Sequence, residues 1–545
     1  MGQTVGECQP PRLVRGLLQK AVSASLTAAV LFAFVPSVEA NSPPGRGNRP
    51  AQIVRQIAEP VPDISETILL FSYGKIAELY IQQVNFGQLT MDGLKGLTSI
   101  DPSIRSERND ESLRILYAGQ TVAEFLPPGP RDYAGWAILL TRAIERARSK
   151  SALLAQANPE RIYQLVLDGI TSGMDGYSRY TSAQRATNER AQRDGYGGVG
   201  LSLDSANGRT TIREVLPRGP ADRAGLKPGD QLLAIDGDLV VKLSDTDMRD
   251  RLRGTTGTLV NLTVARDGGQ PRRIPIRRER VIPNTVSQQF SDGIGVLKID
   301  RFNATTSGNV REAVTLLRNN AGPTLRGIIL DLRGNPGGLL DQAVAVADLF
   351  IPAGPIISTD GRHPDSRQRF EAEADDIAYG TPMVVLVDGR SASSAEVVAA
   401  ALQDSGRAVV VGASSYGKGS VQTVIRLPND GELFLTWSRI YGPAGYTLHR
   451  QGVHPTVCTS RPGIDNPTSL LNELRTGRGR PASQIASWRA RAGDDETALM
   501  RLRETCPWKE HEPELDLRVA QQLLTEPGLY QSAVTLALAS AVAER

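Results

Sequence analysis

The chain has 545 residues, more than one hydrophobic core usually organises, so roughly two to four domains are expected. Hydrophobic residues make up 40% and charged residues 22% of the chain, which excludes a disordered or collagen-like protein. A net charge of +3 without a long block of one sign excludes a nucleic-acid footprint and a polyanionic surface.

The first forty residues differ from the rest of the chain. Three basic residues precede an apolar run at 21–35 that is too short to span a bilayer comfortably, and Val38 and Ala40 suit signal-peptidase cleavage. We interpret residues 1–40 as a signal peptide rather than an uncleaved anchor. We therefore expect export, with the periplasm as the location and at most peripheral membrane association. Residues 41–62, rich in Pro, Gly and polar residues, predict a flexible leader.

The next region has a helical pattern. Apolar residues recur three and four apart at 66–84 and 132–156, which predicts amphipathic helices with few strand signals between them. The sequence therefore predicts a helical N-terminal domain at 63–195.

At residue 196 the pattern changes to short strands. Apolar and polar residues alternate in five segments separated by Gly, Pro and Asp turns: 197–204, 210–216, 230–237, 259–268 and 272–278. A single short helix is predicted at 244–254. Residues 196–281 therefore predict a small β-rich domain.

From residue 282 strands and helices alternate. Apolar strands are predicted at 293–300, 326–332, 383–389 and 408–412, and amphipathic helices between them at 306–320, 339–351 and 393–405. This order predicts a layered α/β core at 282–460, because such alternation builds a sheet covered by helices. After it, Pro-bounded amphipathic segments predict a helical C-terminal extension at 461–545.

Two cysteines, Cys458 and Cys506, remain once Cys8 leaves with the signal peptide. Two thiols in an oxidising compartment can pair, and the long loop between them would let a cross-link restrict the unfolded chain. The sequence cannot place their Cα atoms within bonding distance, so the bonded and the free states both stay open.

The segment from Gly412 to Gly419, GASSYGKG, at first resembles a phosphate-binding loop after a strand. Such a loop needs Ser or Thr after the lysine, to hold the metal, and a helix whose N-terminus faces the phosphates. Here Gly419 follows Lys418, and residues 420–440 predict two strands around a Pro-Asn-Asp-Gly turn. Nucleotide binding is therefore disfavoured.

Lys418 can instead act as a general base if burial or nearby cations lower its pKa and a nucleophile lies within reach. A hydroxyl at the predicted helix start near Ser393 is a candidate nucleophile, because helix N-terminal amides favour developing negative charge. Taken alone, Ser393 or Ser391 is more simply a helix cap, and Lys418 a loop lysine. None of the four histidines lies near these motifs in sequence, which disfavours a Ser-His pair.

Three motifs follow one another in the predicted core: DLRGNPGGLLDQA at 331–343, SASSAEVVAAALQD at 391–404 and YGKGSVQT at 416–423. In this order they resemble the carboxyl-terminal processing, or tail-specific, proteases, which are serine endopeptidases with a Ser-Lys catalytic pair. The resemblance spans about residues 160–457. It implies a crotonase- or ClpP-like layered core, Ser393 as the nucleophile, Lys418 as the base and Gln422 as the residue that orients it.

The resemblance also implies how the reaction proceeds. Neutral Lys418 would take the Ser393 proton, and the resulting acyl-enzyme would be hydrolysed by water, so no metal or organic cofactor is required. The amide of Ser394 and that of Gly337 or Gly338 would hold the oxyanion.

The β-rich region at 196–281 resembles a PDZ domain with the permuted strand order of bacterial proteases. A peptide C-terminus would bind the backbone amides of a loop and add a strand to the sheet edge. The residues expected to contact this tail are Gly198, Val199, Gly200 and Leu201. Met248 and Leu252 either line an apolar pocket for the last side chain or belong to the core. Arg253 resembles an arginine that couples ligand binding to the active site.

The resemblance predicts protein or peptide substrates with free, apolar C-termini, with a possible adaptor protein. The terminal helices are candidate elements for a homodimer or higher oligomer. Two features depart from the family pattern: Tyr416 replaces the usual Phe, and MDGYSRY at 174–180 replaces Asp-Pro-His-Ser. The rival hypothesis is a non-catalytic PDZ-bearing scaffold or ligand-binding protein on the same fold. A missing nucleophile or base would indicate it, and neither candidate is missing here.

Overall fold

The computed structural model describes residues 64–373, 375–463, 466–477, 481–508 and 513–541. The predicted signal peptide at 1–40 and leader at 41–62 lie outside these residues. Within the described ranges, no helix is both long and apolar enough to cross a membrane.

The N-terminal region is mixed rather than helical. Its helices are α1 (Ile64–Leu79), α2 (Phe86–Lys95), α3 (Tyr133–Arg148), α4 (Ala152–Gln156), α5 (Pro159–Ser172) and α6 (Ala183–Asp194). Between them lies an antiparallel sheet of β1 (Ile104–Arg108), β2 (Leu113–Tyr117) and β3 (Gln120–Phe125). The prediction of a helical domain is therefore wrong at 104–125. These strands are short and charged, and only their inward residues, such as Ile104 and Ile115, are buried, so their alternation is weak in sequence.

In the β-rich region, the structure has strands in all five predicted segments and a helix in the predicted helical segment. Its elements are β5 (Tyr196–Gly198), β6 (Leu201–Ala206), β7 (Arg209–Val215), α7 (Pro220–Arg223), β8 (Gln231–Ile235), β9 (Asp238–Leu239), α8 (Asp245–Leu252), β10 (Leu259–Ala265), β11 (Arg272–Arg277) and β12 (Glu279–Val281). The sheet order is β11-β10-β8-β7-β6, with β9 on β8, so β6 is an edge strand. β5 pairs separately with β12 where the chain enters and leaves the region.

The α/β core has one six-stranded sheet in the order β13-β14-β15-β18-β19-β22. Its strands are β13 (Val286–Ser291), β14 (Ile294–Ile299), β15 (Gly327–Asp331), β18 (Met383–Val387), β19 (Val409–Gly412) and β22 (Val457–Cys458). All neighbours after β14 are parallel. The central strands β15, β18 and β19 are buried at every residue, as expected for parallel strands covered on both faces.

One face of this sheet is covered by α9 (Thr306–Ala321), α10 (Leu340–Asp348) and α11 (Ser394–Asp404), which share a buried core with it. A second, antiparallel sheet joins that core in the order β17-β16-β21-β20. Its strands are β16 (Gly354–Asp360), β17 (Gln368–Ala372), β20 (Ser420–Arg426) and β21 (Glu432–Tyr441). A short strand of the N-terminal region, β4 (Arg179–Thr181), pairs with β21 and so ties that region to the core.

The C-terminal extension covers the other face of the parallel sheet. Its helices are α12 (Pro467–Thr476), α13 (Ala482–Arg491), α14 (Glu496–Thr505), α15 (Pro513–Thr525) and α16 (Pro527–Ala541). Apolar residues of α12, α15 and α16 form one buried cluster with outward residues of β15, β18 and β19. The apolar faces of these helices are thus used within the chain, while the predicted dimerisation through terminal helices stays a prediction.

Four short 3₁₀ turns complete the described elements: Gly96–Ser99, Val240–Lys242, Gly322–Thr324 and Pro364–Ser366. More important for function is where the three sequence motifs lie. The strands β15, β18 and β19 are adjacent and parallel, and one motif lies at the carboxyl end of each, in chain order. Since the carboxyl ends of parallel strands share one edge of the sheet, the motifs meet there.

Candidate active site

Ser393 lies in a sharp turn between β18 and α11, and its backbone is strained. Its φ of +56° and ψ of −116° fall in a region that non-glycine residues rarely adopt. A nucleophile on a strained strand-to-helix turn is lifted away from the backbone, which leaves its Oγ accessible above the sheet edge. The strain is a structural signal of function that the sequence did not reveal.

The structure also distinguishes Ser393 from the serines beside it. The Ser391 hydroxyl is buried and donates to the Leu332 carbonyl over 2.9 Å. The Ser394 hydroxyl is buried and donates to the Gly338 carbonyl over 3.0 Å. Both hydroxyls therefore have structural roles, while Ser393 is only half-buried.

The Gly337-Gly338 segment packs directly against the first turn of α11. Gly337 has φ +99°, and a Cβ there would lie 2.7 Å from the Ser393 Cβ, so only glycine fits. Its amide donates to the Asn335 Oδ1 over 2.8 Å. Asn335 is itself fully buried, and its carbonyl accepts from the Ala392 amide over 2.9 Å. The Gly337 amide is thus already engaged, so Gly338 is the better candidate to hold an oxyanion with Ser394.

Lys418 is half-buried in the loop between β19 and β20. Its Nζ lies 5.6 Å from the centre of the Tyr177 ring. Burial lowers the pKa of Lys418, and the positive charge of Arg179 lowers it further, with Glu396 and Asp175 acting in the opposite direction. A lowered pKa increases the fraction of neutral amine, which is the form that a general base requires.

Glu396 connects Ser393 to the lysine loop. Its fully buried carboxylate accepts from the backbone amides of Ser393 over 2.7 Å, Gly417 over 2.6 Å and Lys418 over 2.9 Å, and from the Ser415 hydroxyl. One Oε2 atom serves both Ser393 and Lys418. Burial raises the pKa of Glu396, and the four hydrogen bonds oppose that shift. In sequence, Glu396 stands three residues after Ser393, as the acid of a helix-capping box does, and nothing there indicates its bonds to the lysine loop.

The hydrogen bonds of the Gln422 side chain go to residues other than the lysine. Its Nε2 donates to the Ser420 Oγ over 3.0 Å and to the Thr436 Oγ1 over 3.3 Å. In the described part of the chain, no hydrogen bond joins Lys418 Nζ to Gln422 or to Ser393 Oγ. Catalytic hydrogen bonds are often long in a free enzyme and tighten when substrate binds.

The segment MDGYSRY at 174–180 places the Tyr177 ring next to the Lys418 amine. The Asp175 carboxylate accepts from the backbone amides of Tyr177 and Ser178 over 2.6 and 2.7 Å, and the Ser178 hydroxyl accepts from the Thr436 amide over 3.1 Å. These bonds hold the Tyr177 ring over the lysine. The sequence placed this segment in the N-terminal domain and gave it no role, because its contacts arise only through the β4–β21 pairing.

His449, set aside in sequence, also lies near the site. Its ring is 6.2 Å from that of Tyr177, and its Nδ1 lies 3.1 Å from Arg439 Nη1. Burial and then the charge of Arg439 lower the pKa of His449 to about 4, so the imidazole is neutral at pH 7. Its bond to an arginine indicates a packing role.

In the β-rich domain the predicted tail-binding residues lie at the start of the edge strand. The carbonyls of Val199 and Gly200 accept from Ala221 and Leu216 over 2.9 and 2.8 Å, which fixes the loop. Gly198 belongs to β5, and Leu201 begins β6. Met248 and Leu252 are buried in the same cluster as Val199, while Leu201 and Leu203 pack against that cluster half-buried. The Arg253 guanidinium lies 4.3 Å from the centre of the Tyr196 ring.

The cysteines of the core and the extension are joined in the structure. Cys458 in β22 and Cys506 after α14 form a disulfide with a Cα–Cα separation of 5.7 Å. The bond connects the C-terminal extension to β22. This strand pairs with β19, and the lysine loop begins where β19 ends.

Comparisons with known proteins identify the family. The model of peptidase family S41 matches residues 293–459, and a PDZ-domain model matches residues 211–266. The carboxy-terminal-processing protease of Bartonella bacilliformis is 34% identical over 322 residues, which cover 58% of this chain and 74% of that protein. The chain belongs to the carboxy-terminal-processing proteases of peptidase family S41. It is therefore a serine-type peptidase with a PDZ domain.

Other carboxy-terminal-processing proteases are similar over the same part of the chain. The protease CtpA of Bacillus subtilis is 31% identical, over 54% of this chain and 64% of its own. The solved structure of a photosystem II D1 C-terminal processing protease is 24% identical, over 67% of this chain and 92% of its own, with a TM-score of 0.34. The S41 match ends at residue 459, so the extension that carries Cys506 lies outside it.

Proposed function

We propose that this peptidase is exported and cleaves proteins by a Ser-Lys acyl-enzyme mechanism, with Ser393 as the nucleophile and Lys418 as the base. The observation that carries the proposal is the Glu396 carboxylate, which accepts from the backbone amides of both residues. The strained Ser393 turn and the lowered pKa of Lys418 add the accessibility and the basicity that this chemistry requires.

The steps follow from these positions. Neutral Lys418 takes the proton of the Ser393 hydroxyl while Oγ forms a bond to the substrate carbonyl carbon. The amides of Ser394 and Gly338 hold the resulting oxyanion. When the C–N bond breaks, the Lys418 ammonium returns its proton to the leaving amine, and an acyl-enzyme remains. Water then attacks the acyl carbon with Lys418 again as the base, releasing the carboxylic acid and restoring the Ser393 hydroxyl.

Gln422 completes the site once its side chain turns. Its amide now bonds Ser420 and Thr436, neither of which takes part in the chemistry. Rotation about its side-chain bonds would let Oε1 accept from Lys418 and hold the amine toward Ser393. We infer that this change accompanies substrate binding.

The test of the mechanism uses Ser393→Ala and Lys418→Ala in the purified protein. Each should abolish cleavage of an unfolded substrate protein, while the far-UV circular dichroism and melting temperature stay close to wild type. Ser405→Ala, at the opposite end of α11, and Lys298→Ala, on the exposed side of β14, are the matched controls and should stay active. Full activity of either active-site variant would exclude the assignment.

We further propose that the PDZ domain recognises substrates by a free, apolar C-terminus. The edge strand β6 has an open side to which a peptide strand can add, and the loop at 198–201 leads directly into it. The half-buried Leu201 and Leu203 beside Met248 and Leu252 offer an apolar setting for the last side chain.

C-terminal amidation tests this recognition. A cleaved peptide with a free C-terminus and its amidated copy differ only in the carboxylate that the loop amides would bind. We expect amidation to raise KM or lower kcat/KM in the wild type and to weaken binding to Ser393→Ala, measured by fluorescence anisotropy. Equal cleavage and equal binding of both peptides would show that the tail is not recognised at this loop.

A further inference from the structure

The backbone of the lysine loop is held by an arginine from outside the residues that peptidase family S41 matches. Arg503, on α14, donates from Nη1 to the Ser415 carbonyl over 3.2 Å and from Nη2 to the Tyr416 carbonyl over 2.9 Å. Its Nε also donates to the Arg450 carbonyl over 3.0 Å. One rigid guanidinium thus joins two separate loop segments, which a lysine ammonium could not span in the same way.

Arg503 and Glu396 bind neighbouring backbone groups of this loop. Glu396 accepts from the amides of Gly417 and Lys418, while Arg503 donates to the carbonyls that come just before them. The loop lies between β19 and β20, where the Ser415 and Tyr416 amides donate to the Val453 and Ser391 carbonyls and the Gly417 carbonyl accepts from the Arg450 amide. The Ser415 and Tyr416 carbonyls accept from the Arg503 side chain instead, so their orientation depends on it. Gly417, with φ +94°, is needed for this approach, since a Cβ there would lie 2.7 Å from the Arg503 Nη2.

Helix α14 is itself fixed to the core on both sides of its contact with the loop. Cys506, three residues after Arg503, is bonded to Cys458 in β22. At the start of the helix, Glu496 forms an exposed ion pair with Arg450, with contacts of 2.6 and 2.9 Å. The disulfide is the stronger of these anchors, because exposed ion pairs contribute little. The position of Arg503 is therefore set by the extension.

We propose that Arg503 is a positioning residue for Lys418, and that the C-terminal extension thereby completes the active site. This inference rests on the proposed role of Lys418 as the base. Without the guanidinium, the Ser415 and Tyr416 carbonyls would turn toward water and Lys418 would spend less time beside Ser393. A misplacement of about 1 Å can cost roughly 100-fold in rate, so we expect Arg503→Ala to lower kcat by about 10- to 100-fold.

The experiment compares Arg503→Ala with Arg501→Ala, an exposed arginine on the same helix. We expect a lower kcat with little change in KM for Arg503→Ala, slower labelling of Ser393 by a fluorophosphonate probe, and partial recovery of kcat on adding guanidinium at non-denaturing concentration. Arg501→Ala should match the wild type. A wild-type kcat in folded Arg503→Ala, an equal loss in both variants, or a loss confined to KM would overturn the inference.

A second variant covers the case in which Arg503→Ala does not fold. Arg503→Lys keeps the positive charge but cannot reach both carbonyls, so a reduced kcat at an unchanged melting temperature supports the inference and a wild-type kcat overturns it. Lys418→Ala separates the two proposals. If Lys418→Ala is fully active, the proposed mechanism fails, whereas an inactive Lys418→Ala beside a normal Arg503→Ala removes only the role of Arg503.

Discussion

A lysine can act as a general base near neutral pH only if its environment disfavours the ammonium form. For Lys418 that environment consists first of burial and then of the charge of Arg179, which lies on β4 in the N-terminal region. The Arg179 guanidinium is held 3.8 Å from the centre of the Phe434 ring and bonds Glu189 over 2.7 Å. A residue outside the three sequence motifs therefore contributes to the lowered pKa of the proposed base.

Arg179→Gln should shift the pH dependence of catalysis to more alkaline values. With Lys418 as the proposed base, activity is expected to rise as Lys418 loses its proton, so the acidic limb of the kcat/KM profile should follow the pKa of Lys418. Loss of a nearby positive charge stabilises the ammonium form and raises that pKa. At pH 7 the variant should therefore be less active, and the loss should diminish at alkaline pH.

Arg179→Lys is the control for this prediction, because it keeps the charge but loses the flat stacking on Phe434. Its acidic limb should lie close to that of the wild type, even if its stability falls. Complete kcat/KM profiles for the wild type and both variants provide the measurement. Superimposable limbs for Arg179→Gln and wild type would contradict an electrostatic role for Arg179.

Among the secondary-structure elements, those with strong periodicity were predictable. The apolar runs of β15, β18 and β19 and the helices α9, α10 and α11 are long or fully buried, so their patterns are clear. The same elements place the three motifs at one sheet edge, where the family resemblance implied that Ser393, Lys418 and the Gly337-Gly338 segment act together. Short, charged strands such as β1 and β17 bury few residues and were missed.

Residues that act through tertiary contacts could not be found from the sequence. Glu396 resembles a helix cap, and only the structure shows its bonds to a loop more than twenty residues away. Arg503 lies 88 residues from Ser415, its carbonyl partner, on a helix whose pattern indicates only an amphipathic surface. The strained backbone of Ser393 likewise has no signal in residue type, since serine is common at helix starts.

For the molecule as a whole, the extension and the core form one unit. The parallel sheet has α9, α10 and α11 on one face and helices of the extension on the other, so removing the extension would expose the outward side of β15, β18 and β19. Burial of such apolar surface is the main favourable contribution to folding. The extension is therefore expected to be necessary for a stable core, independently of the role of Arg503.

The Cys458–Cys506 disulfide should stabilise this unit. Its cysteines are 48 residues apart, and the chain-entropy model gives a loop of that size up to about 4 kcal/mol of stabilisation. We expect reductant to lower the free energy of unfolding of the wild type in urea, but not that of Cys458→Ser/Cys506→Ser. Equal stability with and without reductant, together with two titratable thiols in the untreated protein, would show that the bond does not form.

Reduction should also affect catalysis before the protein unfolds. Cys506 follows Arg503 by less than one helical turn, so breaking the bond frees the end of α14 that holds the lysine loop. We expect kcat to fall in reductant at denaturant-free conditions, with the circular dichroism unchanged, and the double serine variant to show the lower kcat without reductant. If kcat stays constant while stability falls, the disulfide supports only folding, and α14 keeps Arg503 in place by packing alone.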